Sequence, residues 1–261
     1  MKPVFLIQGI DYRQNSAGIR CLHTLCEKLL DRNEDAWLSR CLLAENSSAR
    51  IATSEDIESF QDRDVVIILP EILGGRYPWA ALTVRWLLNS PGKVGEDKSG
   101  EWQDSDLLCH FEPAFRMKDS IPLAVPHVDR KVFNNLDNPF DNKRVSGCFY
   151  AKKTRCAGFD APCPKGLVDI TDMDLMPQDL AFIYRQSRFF YTTEPTACSI
   201  EAELCGARNV YLPSDYMKKP PEVTDFVSWY GDLERRSDRE LDSFVDVCYD
   251  RLGSRRCLEV A

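Results

Sequence analysis

Five consecutive apolar residues at positions 65–69, VVIIL, constrain the fold of this chain more than any other feature. An apolar run with a polar lead is typical of a strand buried on both faces of a parallel sheet. Residues 3–9 and 35–43 read as further strands, and a helix with Ser16 as candidate N-cap lies between them. This alternation predicts an α/β fold with a largely parallel sheet.

The segment 77–92, YPWAALTVRWLLNSPG, reads as a second helix that ends at Pro91 and Gly92. Its two tryptophans and one arginine are compatible with two positions: packing on the sheet, or lying on a bilayer surface as a peripheral membrane contact. Residues 107–115 and 121–129 read as short strands, which extends the same sheet.

A polar, turn-rich stretch at residues 128–141 interrupts the pattern, and the alternation then restarts. Strands are expected at 145–153, 188–194 and 208–214, helices at 176–187 and 196–206, and a last helix at 237–252 capped by Ser237 or Asp238. We therefore expect two domains, 1–127 and 128–261, with the terminal helix in the second and a hinge between about residues 126 and 143.

Composition excludes several classes of protein. A net charge of −8 argues against a nucleic-acid binder, which needs a surplus of Lys and Arg. No apolar stretch approaches the ~18–20 residues of a membrane-spanning helix. The number of cysteines, eleven, is odd, so they cannot all form disulfide pairs within the chain. We interpret them as reduced thiols of a cytoplasmic protein. A zinc site from Cys109, His110, Cys156 and Cys163 is the alternative, but the chain has no C-x-x-C pair.

Candidate functional residues of the first half follow predicted strands or open a helix. Asp11 and Glu71 come at the carboxyl ends of strands, where ligands of parallel sheets collect. Gly18 opens a helix whose N-terminal N–H groups would attract phosphate. Each of these also reads as an ordinary residue of a loop or a strand–helix joint.

The second half carries two clusters. A basic cluster leaves the strand at 145–153 and suits a diphosphate, although an exposed basic loop has the same composition; it comprises Tyr150, Lys152, Lys153 and Arg155. Glu194 ends the next strand, and Glu201 lies in the first turns of the following helix, where the pair could bracket sugar hydroxyls. The small residues between them are Thr196, Ala197, Cys198 and Ser199.

The stretch TEPTACSIEAELCGARNVYLP, at residues 193–213, resembles the C-terminal signature of GT-B glycosyltransferases. NSAGIRCLHTLCEKL is similar to their N-terminal glycine loop and first helix, and VVIILPEILGG resembles members that build bacterial surface polysaccharides. The resemblance implies two Rossmann-like domains facing across a cleft, the N-terminal one for the acceptor and the C-terminal one for the nucleotide sugar.

The resemblance also implies roles. Glu201 would contact the donor ribose, Glu194 the sugar, and the N–H groups of residues 197–199 the diphosphate, with no metal and no cofactor beyond the nucleotide-sugar co-substrate. Asp11 or Glu71 would be the general base of an inverting reaction. The acceptor would be a glycan or lipid-linked glycan, in the cytoplasm or at the inner membrane. The acidic residues are seven apart rather than the family's eight, which suits the alternative, a noncatalytic binding or assembly subunit.

Overall fold

The computed structural model of the protein describes residues 2–253, apart from 15, 46, 76, 94, 137–141, 143, 144, 174, 195 and 217–224. The described chain divides into two compact units. The second unit is Val128–Asp232, and the first unit is the remainder, made from the chain before Val128 and the chain from Leu233 onward.

The first unit contains a six-stranded parallel sheet in the order β2-β1-β3-β4-β5-β6. Every residue of β3 is buried, as the apolar run predicts, and β3 pairs with β1 on one side and β4 on the other. The strands are β1 Val4–Ile7, β2 Asp35–Leu38, β3 Val65–Pro70, β4 Leu82–Leu87, β5 Leu107–His110 and β6 Ile121–Pro122.

Two α-helices follow the first two strands, α1 Ala17–Leu30 and α2 Ser54–Ser59, with short 3-10 helices at Phe60–Asp62, Ser99–Glu101 and Pro113–Phe115. Ser16 is the N-cap residue of α1, but its side chain makes no capping hydrogen bond. Thr53 does cap α2, in a reciprocal capping box with Asp56.

The helix expected at residues 77–92 is wrong: Leu82–Leu87 forms strand β4 of the sheet. Arg85 and Trp86 are buried, and the Trp86 indole Nε1 donates a hydrogen bond of 2.9 Å to the Leu123 carbonyl oxygen. Parallel pairing with β3 and β5 outweighs the helical spacing of the apolar residues. The amphipathic helix suggested for a bilayer surface is therefore not formed by this segment.

The second unit contains a four-stranded parallel sheet in the order β10-β9-β7-β8. Tyr184 of α4 is buried against Phe190 of β9, with ring centroids 5.6 Å apart. The elements are β7 Val145–Tyr150, α3 Lys152–Cys156, β8 Val168–Asp169, α4 Pro177–Gln186, β9 Ser187–Thr192, α5 Cys198–Leu204 and β10 Arg208–Tyr211. The parallel sheets with helices between strands confirm the α/β class.

The last helix, α6, spans Phe226–Arg251 and begins well before the predicted Ser237 or Asp238 cap. Asp225 precedes it and accepts the Ser228 N–H at 2.9 Å, as an N-terminal cap does. The part of α6 from Leu233 onward lies in the first unit, whereas we had assigned the terminal helix to the second domain. Residues 137–141 and 143 of the expected hinge lie outside the described residues.

The ten cysteines in the described ranges are all free thiols. Among the helices that the structure describes, none is both long and apolar enough to cross a membrane.

Phe244 of α6 packs on Phe5 of β1, with ring centroids 6.2 Å apart and both side chains fully buried. We expect Phe244→Ala to lower the free energy of unfolding by about 3–5 kcal/mol, because truncation of a buried aromatic ring leaves a cavity. The neighbouring exposed variant Ser243→Ala should stay within about 0.5 kcal/mol of the wild type. Denaturant titration compares them, and equal stabilities would show that α6 does not cover β1.

Candidate functional site

The candidate site of the first unit lies where the order of its sheet reverses. The chain passes from β1 outward to β2, then returns to the other side of β1 to form β3. The carboxyl ends of β1 and β3 therefore flank a topological switch point, the usual ligand position in sheets of this kind. Asp11 lies beyond the end of β1 and Glu71 follows β3 directly.

Glu71 is a buried carboxyl group, 5% exposed, held by the adjacent strand β4. Its N–H donates to the Trp86 carbonyl oxygen at 3.1 Å, and its Oε2 accepts the Leu88 N–H at 3.1 Å. Burial raises the pKa of Glu71 to about 7, against the opposing effect of the backbone hydrogen bonds. A carboxyl group with this pKa exchanges protons readily at neutral pH, which is what a general base requires.

Asp11 has a different environment. It is exposed, and its Oδ1 accepts the Leu42 N–H at 2.8 Å. The next residue, Tyr12, donates its N–H to the Leu42 carbonyl oxygen at 2.9 Å. Asp11 thus joins the loop after β1 to the loop after β2. Of the two predicted general bases, Glu71 has the environment that suits proton transfer.

Gly18 lies in the first turn of α1, near the same end of the sheet. A Cβ atom at this position would meet the Leu88 Cδ1 atom at 3.7 Å, an ordinary contact. Leu88 is also the residue whose N–H binds Glu71, so the structure brings the start of α1 and Glu71 to one place. Gly18 was expected to bind the donor with residues of the second half, and it belongs to the first unit.

Two further buried polar residues, Arg20 and His23, lie in α1, and neither was among the residues predicted from the sequence. His23 Nε2 lies 2.9 Å from the Ile10 carbonyl oxygen, and its ring packs edge-on against Tyr12 at 5.2 Å. The charge of Arg20 acts on the neighbouring Cys21 and on the buried His127, whose pKa burial lowers to about 3. Arg20 and His23 are three residues apart and therefore lie on one face of α1. In the sequence, the apolar residues of the same helix made this polar pair difficult to recognise.

The second unit has its own switch point. From β7 the chain moves to β8 on one side and later returns to β9 on the other, so the carboxyl ends of β7 and β9 flank it. Most of the predicted donor-binding residues follow these two strands: the basic cluster follows β7, and Glu194 follows β9.

Glu194 is fully buried and binds the start of α3. Its Oε2 accepts the Thr154 N–H at 2.7 Å and the Thr154 hydroxyl at 3.1 Å. Thr154 is the third residue of α3, so the carboxylate satisfies an N–H group that the helix itself leaves unbonded. The other oxygen, Oε1, is buried and has no hydrogen-bond partner among the described residues.

Glu201 lies in the first turn of α5 and is also buried, with 2% exposure. Burial raises the pKa of Tyr150 well above its ordinary value, and the charges of Glu194 and Glu201 act on it in the same direction. The structure therefore brings Tyr150, Glu194 and Glu201 into one electrostatic environment. A carboxylate that only capped the helix in contact with solvent would be exposed, and Glu201 is not.

The predicted phosphate contacts are already engaged within the unit. Arg155 pairs with Asp169 at 2.6 Å and Asp172 at 3.2 Å, and its guanidinium also donates to the Ala161 carbonyl oxygen. Lys152 and Lys153 are half-buried in α3, and Cys156 at its end is exposed. Two carboxylates therefore neutralise Arg155 within the second unit.

The start of α5 is likewise satisfied locally. The Thr196 hydroxyl accepts the Cys198 N–H at 3.3 Å, and the Thr196 carbonyl accepts the Ser199 N–H at 3.1 Å. The Ser199 hydroxyl lies 2.9 Å from the Tyr211 hydroxyl, and Ala197 is the N-cap residue in helical conformation. A diphosphate at residues 197–199 would have to replace these short-range hydrogen bonds.

The described residues contain no cluster of three or more His, Cys, Asp or Glu side chains placed to hold a metal ion. The described residues therefore do not form the zinc site considered for Cys109, His110, Cys156 and Cys163. His110 instead lies 2.9 Å from the Ser120 hydroxyl through Nδ1, and Cys109 is buried in β5.

Comparison with protein families found no match, and no curated protein matches the sequence. Several solved structures match this chain at low sequence identity. The spinosyn rhamnosyltransferase SpnG is 10% identical, with a TM-score of 0.42 over 97% of this chain and 92% of that one. The calicheamicin glycosyltransferase CalG4 is 11% identical, with a TM-score of 0.43 over 97% of this chain and 99% of that one.

A further structure of SpnG, in complex with thymidine diphosphate, is 9% identical with a TM-score of 0.41 over 97% of this chain and 92% of that one. These neighbours are glycosyltransferases. At such identities and TM-scores the similarity is distant and assigns no role to the side chains of this chain.

The raised pKa of Glu71 predicts a pH-dependent stability. In the unfolded chain the carboxyl group ionises near 4.5, and in the folded protein near 7. Its contribution to stability is therefore fully present below pH 4.5 and is lost as the pH rises to about 7, on the order of 3 kcal/mol in all. Glu71→Gln cannot ionise, so the variant should become more stable relative to the wild type across this interval. Denaturant titrations from pH 4 to 8 measure the difference, and a flat difference would mean that Glu71 is not desolvated.

Proposed function

We propose that the protein is a glycosyltransferase that moves a sugar from a nucleotide sugar to an acceptor hydroxyl. The observation that carries this proposal is Glu71, a buried carboxyl group with a pKa of about 7 at the switch point of the first unit. A group of this kind can take the proton of an acceptor hydroxyl at neutral pH. The sequence resemblance to GT-B enzymes supports the same class of reaction.

In this proposal Glu71 acts as the general base of an inverting transfer. The acceptor oxygen forms a bond to the anomeric carbon while the bond from that carbon to the diphosphate oxygen breaks. The hydroxyl proton passes to Glu71, and the nucleoside diphosphate leaves with the bonding electron pair. Removal of the proton by a positioned base contributes typically about 10²–10⁴-fold to the rate of such a step.

The second unit would bind the donor. Glu201 and Glu194 are buried carboxylates that can accept hydrogen bonds from ribose and sugar hydroxyls. Lys152 and Lys153 would neutralise the diphosphate without a metal ion, as preorganised positive charge. We extend the proposal to an acceptor hydroxyl of a bacterial surface glycan or its lipid-linked precursor, on the resemblance of residues 65–75 alone.

A noncatalytic binding subunit of the same fold is the second candidate. Two observations favour it: Arg155 is neutralised by Asp169 and Asp172, and the N–H groups of Cys198 and Ser199 are satisfied within their own turn. Such a protein would serve as a binding or assembly subunit and would not break the glycosidic bond of a nucleotide sugar.

Turnover separates the two candidates. The wild type should release nucleoside diphosphate from at least one of a panel of nucleotide sugars, and the rate should rise with pH through about 7 as Glu71 ionises. We expect Glu71→Gln to lower kcat by about 10²-fold or more while donor affinity is kept. Glu58→Gln, on the exposed helix α2, is the matched control and should retain the wild-type rate. Donor binding without turnover by the wild type would instead support the noncatalytic subunit.

Glu201→Gln tests the donor site. A hydrogen bond to a carboxylate is worth roughly 1.5–3 kcal/mol, so its loss should weaken donor affinity by about ten- to a hundredfold. Glu203→Gln is the control on the same helix, because Glu203 accepts Asn209 Nδ2 at 2.7 Å, and its loss should change stability alone. Calorimetric titration of both variants measures the affinities. Unchanged affinity in a folded Glu201→Gln protein would remove Glu201 from the donor site.

A further inference from the structure

A buried ion pair lies beside Glu71 in the first unit. Arg85 of β4 is 1% exposed, and its Nε donates to Asp106 Oδ2 at 2.8 Å. The same carboxylate oxygen accepts the Gln103 N–H at 3.2 Å. Asp106 immediately precedes β5, so the pair joins strand β4 to the connection that leads into its neighbour.

The other nitrogens of Arg85 reach the turn that follows Glu71. One terminal nitrogen donates to the Leu73 carbonyl oxygen at 3.1 Å, and the other donates to the Gly75 carbonyl oxygen at 2.6 Å. The planar guanidinium fork thus binds three separate acceptors, and a lysine ammonium has no such geometry. Arg85 fixes the path of the chain two and four residues after Glu71.

A second side chain, that of Glu101, also binds this turn. Glu101 Oε2 accepts the Gly75 N–H at 2.9 Å. A Cβ atom built on Gly74 would lie 2.0 Å from the same carboxylate oxygen, so a side chain at this position would require the Glu101 carboxylate to move.

Glu71 itself is bound to the continuation of the same strand. Its N–H meets the Trp86 carbonyl oxygen and its Oε2 meets the Leu88 N–H. Arg85 holds the turn and residues 86 and 88 hold the carboxyl group, so a single segment, residues 85–88, sets the position of Glu71.

Burial of an ion pair is a costly way to obtain stability, because both charges lose their hydration, and an apolar pair of similar volume often serves as well. The arrangement of Arg85 instead provides direction, since two of its three hydrogen bonds end in the turn after Glu71 and the third ends on Asp106 before β5. We infer that Arg85 is a positioning residue, which holds the turn 71–75 so that Glu71 stays in its dry position beside β4.

This inference rests on the proposed function only for its kinetic readout. If the turn loosens, water should reach Glu71 and its carboxyl group should ionise at lower pH. Arg20 and Cys21 of α1 and Glu112 beyond β5 share this surrounding, since the charges of Arg20, Glu112 and Glu71 all act on the Cys21 thiol. The experiment leaves these three unchanged.

The test is the ionisation of Glu71 in Arg85→Lys, a variant that keeps the charge and loses the fork. Carbon-13 NMR of glutamate carboxyl groups follows the titration, and the signal missing from Glu71→Gln identifies Glu71. We expect the midpoint to fall by about one pH unit or more from the wild-type value. Exchange of the Gly75 N–H should accelerate by about tenfold or more.

The matched control is Arg63→Lys. Arg63 also combines an aspartate, Asp35 at 2.6 Å, with a backbone carbonyl, that of Lys2 at 2.9 Å, but it lies at the amino end of β3. Its replacement should lower stability and leave the Glu71 midpoint in place. A midpoint that is unchanged in folded Arg85→Lys, or that moves equally in Arg63→Lys, would overturn the inference.

A paired variant covers the case in which Arg85→Lys does not fold. Arg85→Met with Asp106→Leu removes both charges together, leaves no buried charge uncompensated, and should lower the Glu71 midpoint in the same way. With a donor that turns over, the acid limb of kcat/KM should shift with the NMR midpoint. If the wild type transfers no sugar, the proposed function fails, while the midpoints still decide the role of Arg85.

Discussion

The first unit depends on the burial of β3. A strand covered on both faces must satisfy its N–H and C=O groups within the sheet, and β3 does so by pairing with β1 and β4. The strand also delivers the next residue, Glu71, to an edge from which water is largely excluded. The desolvation that makes the strand stable therefore also keeps a carboxyl group protonated to a higher pH. Burial of β3 therefore accounts both for the stability of the strand and for the raised pKa of Glu71.

In the second unit, charged candidate residues have hydrogen-bond or ion-pair partners within the unit. One oxygen of Glu194, Oε2, accepts the Thr154 N–H and hydroxyl, and two aspartates neutralise Arg155. Such compensation makes the unit a firm scaffold, but it also occupies groups that a diphosphate would otherwise contact. Binding of a donor there would exchange internal hydrogen bonds for ligand hydrogen bonds, so affinity would depend on the difference between them.

Sequence predicted the strands better than the elements whose identity depends on distant partners. The apolar run at residues 65–69 predicts a buried strand. Residues 82–87 also fit a helix by their spacing, and the partner of Arg85, Asp106, lies 21 residues later in the sequence. The position of Glu71 after a strand was readable, but its raised pKa depends on burial by the folded sheet, opposed by backbone hydrogen bonds such as those of Leu88 and Asn89. The role of Glu194 at the start of α3 was not readable, because the five residues of that helix look like a basic strand end.

The division of the first unit into two stretches of chain has a consequence for biosynthesis. The second unit, Val128–Asp232, is a continuous insertion, and the part of α6 that supplies Phe244 to β1 comes after it in the sequence. During synthesis from the N-terminus, the ribosome has made the complete second unit before the first unit receives its covering helix. The strands made first are therefore the last to be fully enclosed, and until then the face of β1 around Phe5 remains open to water or to a chaperone.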